Sequence, residues 1–131
     1  MAIETIDVFQ GVEKGENGVD IAKNATVYSP VFNLRNLDWS GTDMEVGFMV
    51  IASSATTSNS VTISFAGSFD GKNFNSDVAL ITTTDIGDGA ADYGSFNIGI
   101  PYPFGKIKAV ENNVNPVVDL QVILAIPTTG R

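Results

Sequence analysis

Apolar and polar side chains alternate along residues 61–66, where Val61, Ile63 and Phe65 share one side and small or polar residues occupy the other. A period of two is that of a β-strand with one buried face. The segment runs into Asp70-Gly71, which favours a tight turn because glycine tolerates a positive φ and aspartate hydrogen-bonds the local backbone. The pattern predicts a strand followed by a hairpin turn.

Similar alternation predicts the other strands. Residues 45–52 place Val46, Phe48 and Val50 on one face and further apolar residues on the other, so we expect a central strand with both faces covered. A proline interrupts residues 25–34, which restricts that segment to a sheet edge or a bulge. The remaining predicted strands are residues 3–9, 78–84, 94–100, 105–110 and 116–126.

In the last predicted strand, alternate positions are occupied by Val118, Leu120, Val122, Leu124 and Ile126, and we expect this face to lie deep in the core. No window of a dozen residues combines helical apolar spacing with a capping residue. About eight short strands separated by turns predict an all-β fold of two packed antiparallel sheets, a sandwich of either the jelly-roll or the immunoglobulin-like type.

The length of 131 residues, 44% of them hydrophobic, is that of one domain with one core. We therefore expect a single sandwich over residues 1–131, in which residues 1–20 form a first strand or an extended arm followed by a glycine-rich loop. No apolar run approaches the roughly 20 residues of a membrane helix, and the acidic start lacks the features of a signal peptide. We expect synthesis in the cytoplasm and no contact with a membrane.

The chain contains neither histidine nor cysteine. Disulfides, thiolate metal sites and histidine-based nucleophile arrangements are thereby excluded, and we expect a protein that is not an enzyme. Fifteen acidic residues against seven basic ones give a net charge of −8, and Lys106 and Lys108 are the only close basic pair. Nucleic acid requires clustered cations, so we expect no contact with it.

An acidic, glycine-rich segment over residues 85–92 is the strongest candidate for a metal site. Asp85, Asp88 and Asp92 could gather oxygen ligands around calcium, but glycines stand where the EF-hand pattern requires ligands. A solvated hairpin loop explains the segment with glycine and charge alone. We expect that loop, with no metal and no cofactor.

Aromatic residues are the second candidate. Trp39, Tyr28, Tyr93 and Tyr102 could stack on a sugar, although a single tryptophan in a turn is more often a plug at the end of a sandwich. Tyr102 and Phe104 alternate with prolines, which gives a rigid extended segment that packs either inward or against a neighbouring subunit.

Three pieces of the chain carry a family resemblance: residues 28–34, 61–74 and 102–113. The first holds Ser29 and Leu34 with four residues between them, the second a Ser-x-Asp-Gly-x-x-Phe hairpin, and the third a Pro-Phe start followed by Lys-Ile-Lys. In this order the pieces resemble small β-sandwich structural proteins of tailed bacteriophages, particularly head decoration or cement proteins.

The resemblance implies a non-enzymatic virion protein on the outer capsid surface, bound to the major capsid protein and stabilising the lattice. Several joined copies would engage the lattice multivalently, so we expect a homo-oligomer, most simply a trimer. Two other functions stay open: a carbohydrate-binding or receptor-binding module, and a tail or neck component. The apolar side chains expected at the capsid or subunit interface are Ile3, Ile6, Val8, Phe9, Tyr102 and Phe104.

We predict that a chelator leaves the melting temperature of the protein unchanged, because the acidic segment lacks the spacing of a calcium loop. Thermal melts with and without excess EDTA measure this. A drop of many degrees would contradict the prediction and direct attention to Asp85, Asp88 and Asp92.

Overall fold

The computed structural model describes residues 2–9, 18–35, 37, 45–52, 60–84, 91–112 and 117–128. These residues form ten strands and no helix, and therefore no helix that could cross a membrane. The strands are β1 (Ala2–Asp7), β2 (Val19–Ile21), β3 (Thr26–Tyr28), β4 (Phe32–Asn33), β5 (Glu45–Ile51), β6 (Ser60–Ser68), β7 (Asn75–Thr84), β8 (Ala91–Asn97), β9 (Phe104–Glu111) and β10 (Val117–Thr128).

The strands form two five-stranded sheets. The first has the order β1-β10-β5-β8, with β2 also paired to β10, and the second has the order β3-β9-β6-β7, with β4 also paired to β9. The antiparallel pairs are nested in the sequence: β1 with β10, β3 and β4 with β9, β5 with β8, and β6 with β7. The all-β sandwich prediction is confirmed, and this nesting is that of a jelly roll rather than an immunoglobulin fold.

One hydrophobic core fills the space between the sheets. Phe65 on β6 and Phe96 on β8 meet across it, with ring centroids 5.7 Å apart. On β5, which is central in its sheet as predicted, Val46, Phe48 and Val50 are buried. Alternate positions on the outer face of β5 are only half-buried, so the expectation that both faces are covered is met on the core side alone.

The long strand β10 follows the prediction except at its start. Leu120 and the next three alternate residues are buried, as expected, but Val117 is buried as well. The cause is Asp119, whose φ of 59° accompanies a shift in the pairing of β10 with β2 between Val117 and Leu120. Such a bulge changes which side chains face the core. The side chain of Val118 lies outside the described set.

The amino-terminal segment is a strand of its own sheet and not a free arm. β1 pairs with β10 from Ala2 opposite Thr128 to Asp7 opposite Ile123, and the amide of Val8 donates to the carbonyl of Val122. The edge of β10 would otherwise be unpaired. Residues 10–17 of the predicted loop lie outside the described residues.

The predicted β7–β8 hairpin is not formed, because these strands belong to different sheets and residues 85–90 connect one sheet to the other. β8 also begins at Ala91, earlier than predicted. The ring of Phe48 occupies the place that a side chain at Gly94 would take, at 2.5 Å from an ideal Cβ. Gly94 therefore lies inside β8, and a larger side chain there would collide with the ring of Phe48.

We predict that Leu120→Ala lowers the free energy of unfolding by about 2–5 kcal/mol, because a fully buried side chain is removed and a cavity remains. Urea denaturation measures the change. Gln121→Ala, at the adjacent half-buried position on the outer face, is the control and should shift stability by about 0.5 kcal/mol or less. Equal effects of the two variants would contradict the core assignment.

Candidate interaction surface

One end of the sandwich carries exposed apolar side chains beside a hydrogen-bonded turn. The end of β6, the start of β9 and β4 meet there, since Ser68 and Asn33 both pair with Phe104. We call this region the hairpin end and define it as the turn at residues 69–74 together with residues 98–103.

The turn at the hairpin end is held by two side chains. The Ser68 hydroxyl accepts the amide of Gly71 at 2.8 Å and donates to Asp70 Oδ1 at 3.0 Å. The same Oδ1 accepts the amides of Lys72 and Asn73, both at 2.8 Å, and Gly71 has the positive φ of 77° that the Asp-Gly signal predicts. The backbone amide of Asn73, then that of Lys72, hold the pKa of Asp70 well below its usual range.

Phe69 is the residue that this turn presents to solvent, with 67% of its surface exposed. Its ring contacts Tyr102 at a centroid distance of 5.3 Å. Tyr102 is itself buried and lies against Gly67, where an ideal Cβ would be 2.1 Å from the ring. Its hydroxyl accepts the side-chain amide of Asn75 at 2.7 Å. The exposed ring of Phe69 therefore packs against the buried ring of Tyr102, which these contacts hold in place.

Residues next to this pair extend the apolar surface. Ile100 is 41% exposed, and its carbonyl accepts the amide of Tyr102 at 2.8 Å, which closes a tight local turn. Phe104, at the start of β9, is half-buried beneath Arg35, whose guanidinium carbon lies 4.8 Å from the ring centroid.

The six side chains predicted at an interface do not share one surface. Ile3 is 62% exposed and Phe104 half-buried, and both are accessible, so a contact through them stays a prediction. Val8, Phe9 and Tyr102 are buried in the core of their own chain, and Ile6 packs against that core. The expectation that these four face a neighbour is corrected.

The physical reason lies in strand periodicity and in one glycine. Ile6 on β1 and Val8, just beyond its end, point to the same inward side once this segment pairs with β10, and Phe9 joins the same core. Tyr102 turns inward because Gly67 leaves room for its ring. Phe69 was not among the predicted interface residues, although it directly precedes the predicted Asp70-Gly71 turn.

The aromatic residues that the structure describes do not form the predicted platform for a sugar. Tyr28 lies on the outer face of the second sheet, with Lys106 Nζ at 4.7 Å from its ring centroid. Tyr93 lies on the outer face of the first sheet, while Tyr102 is buried. The three rings therefore face different sides, and Trp39 lies outside the described residues.

The structure describes Asp92 alone of the candidate calcium ligands, as an exposed residue of β8; Asp85 and Asp88 lie outside it. Within the described ranges, no three acidic side chains are grouped as metal ligands would be. A cavity of about 110 Å³ opens beside Glu4, Leu34 and Leu37. Ligand pockets usually measure about 300–1,000 Å³, so this cavity suits a few waters rather than a sugar or cofactor.

No protein-family model matches the chain, and no curated protein matches it in sequence. Among solved structures, the chain is similar to PBSX exported protein XepA, with a TM-score of 0.60 and 6% identity. The match covers 98% of this chain and 38% of XepA, so the chain spans well under half of that protein. The Yersinia pseudotuberculosis-derived mitogen is matched with a TM-score of 0.45 and 10% identity, over 99% of this chain and 89% of the mitogen. At 6% identity, the similarity to XepA shows the fold of this chain alone.

We predict that Asp70→Asn lowers the free energy of unfolding at neutral pH. The difference in this free energy between variant and wild type should become smaller as the pH falls from about 5 to 2. The charged carboxylate has a lowered pKa in the folded state, so its contribution is present above the unfolded-state pKa and is lost on acidification. Urea denaturation across this range measures the effect. Asp92→Asn, at an exposed position of β8, is the control. A difference independent of pH would contradict the role of the charge.

Proposed function

We propose that this chain is a non-enzymatic structural protein of a tailed-phage virion, a decoration or cement protein that binds the outer capsid lattice through the hairpin end. The observation that carries the proposal is Phe69, an exposed aromatic ring fixed by the turn of Ser68 and Asp70 and supported by Tyr102. The likeness to phage decoration proteins along residues 28–34, 61–74 and 102–113 supports it. The jelly-roll fold that the chain shares with XepA, named as an exported protein of the phage PBSX, is consistent with it.

The chemistry of the motif residues supports a structural role. Ser68 and Asp70 are a hydroxyl and a carboxylate in contact, a pair that could suggest catalysis. Their hydrogen bonds to the amides of Gly71, Lys72 and Asn73 instead use these polar atoms to hold the turn. With no histidine in the chain to serve as a base, we infer that the motif shapes a surface and performs no reaction.

The geometry of Phe69 suits it to anchor a protein contact. Aromatic side chains near the centre of an interface commonly contribute most of the binding energy. A ring that is already fixed before binding loses little further conformational entropy. A small contact of this kind becomes effective when several copies bind one lattice together, which is why we propose a homo-oligomer, most simply a trimer, on the major capsid protein.

We predict that Phe69→Ala weakens binding to capsids about tenfold or more, while the fold is kept, because an exposed ring contributes to binding and not to the core. The particles are those of the phage or prophage whose genome encodes the chain. Immunoblots of purified particles first establish whether the protein is present, and immunogold labelling places it on the head or the tail. Binding to particles lacking the protein is then measured for wild type and variant.

Lys23→Ala is the matched control, since Lys23 is exposed and lies between β2 and β3, away from the hairpin end. It should bind as wild type does. Absence of the protein from particles, or labelling confined to the tail, would overturn the decoration proposal. Wild-type capsid affinity of Phe69→Ala would overturn the hairpin end as the contact.

A further inference from the structure

Charge is divided unequally between the two sheets. The five strands of the first sheet contain six carboxylates and no lysine or arginine. In the second sheet, β9 carries Lys106 and Lys108, and β7 contains one acid, Asp77. The acid of β9, Glu111, is fully buried and accepts the amide of Asn24 at 2.8 Å, so it faces the interior. The carboxylates of the first sheet are Glu4, Asp7, Asp20, Glu45, Asp92 and Asp119. Asp7 and Glu45 lie on its outer face, whereas Glu4 is opposite the buried Ile126 and Asp92 opposite the buried Val50, on the other side of the sheet.

The outer face of the first sheet is apolar at its centre. Ile123, Met49 and Tyr93 are direct cross-strand neighbours on β10, β5 and β8, and Asp7 on β1 completes the row. Tyr93 is 71% exposed. We call this surface the acidic face and define it by these four residues with the flanking Glu45.

One atom of the acidic face lacks a hydrogen-bond partner. Asp7 Oδ1 is buried, and within the described part of the chain nothing donates to it. Burial also raises the pKa of Asp7, because the charged form loses hydration. A buried acceptor without a donor is unfavourable. A cation or donor supplied from outside this part of the chain would satisfy it.

The outer face of the second sheet has the opposite character. Lys106 Nζ lies between two aromatic rings, 4.7 Å from the centroid of Tyr28 and 4.3 Å from that of Phe74. Lys108 is paired with Ser64, and Lys106 with Ala66, both small residues, so the two lysines stand above their neighbours. We call this surface the lysine face.

We propose that the lysine face of one copy of this chain packs on the acidic face of the next copy. Both surfaces are outer faces of sheets, apolar or aromatic at the centre and opposite in charge. Contact between two identical faces would instead bring like charges together, which is costly. A contact between two different faces is head-to-tail, and it generates a ring where the rotation closes and a filament where it does not.

The size of the faces sets the strength of this contact. Four strands about 4.8 Å apart, over about six residues, give a face of roughly 400 Å² per copy. Standard stable interfaces bury about 800 Å² per partner. A single contact is therefore weak, and association is expected at high protein concentration or when a ring closes. The inference does not depend on capsid binding.

Two complementary variants test the arrangement. Lys106→Ala with Lys108→Ala disables the lysine face, and Asp7→Lys with Tyr93→Ala disables the acidic face. Sedimentation at high protein concentration should show oligomers for wild type and monomers for each variant alone. In a mixture, the intact acidic face of the first variant can still bind the intact lysine face of the second. A one-to-one dimer is therefore expected.

Several results would overturn the proposal: a monomeric wild type, a variant that associates alone as wild type does, or a mixture of folded variants that stays monomeric. Circular dichroism confirms that the variants are folded. Should one of them not fold, wild type itself is tested by carbodiimide coupling of mixed ¹⁴N and ¹⁵N chains. Intermolecular links from Lys106 or Lys108 to Asp7 or Glu45 are expected, and links confined to other pairs would refute the contact.

Discussion

The structure depends on the pairing of β10 along both of its edges. Its residues 121–125 pair with β5 on one side, while β1 and then β2 pair with it on the other. Because the first and last strands of the chain are direct neighbours, every other antiparallel pair can nest inside them, which defines the jelly roll. The register of β10 also decides which side chains of the first sheet face the core and which form its outer face.

Strand periodicity predicts much of this arrangement. The inward faces of β5 and of most of β10 follow from alternation, as does the turn at Asp70-Gly71. Alternation does not predict which strands pair with each other, since the pattern within one strand carries no information about its neighbour. For this reason the sequence left a strand and an extended arm both open where β1 pairs with β10, and it predicted a hairpin where β7 and β8 separate into two sheets.

The candidate site was less predictable, because it depends on contacts between residues distant in sequence. Tyr102 is buried because Gly67, 35 positions earlier, leaves space for its ring. Asp119 adopts a positive φ at a bulge opposite β2, a strand that the sequence analysis did not predict. Phe69 becomes a presented ring because Tyr102 supports it and the Asp70 turn fixes its backbone.

Two surfaces of the protein then have separate roles in our account. We propose that the hairpin end contacts the capsid and that the two outer faces join copies of the chain. The acidic face requires that β1 and β10 be paired, since it contains residues of both strands. A chain that exchanged β1 with a neighbour would place Asp7 beside Ile123 of another copy.

Native-state hydrogen exchange of the β10 amides tests this dependence most directly. Amides of residues 123–125, where β10 has partners on both edges, should exchange only through global unfolding, whereas the edge strand β8 should open locally and exchange faster. Exchange of β10 as fast as that of β8, well below the global free energy of unfolding, would contradict the central position of β10.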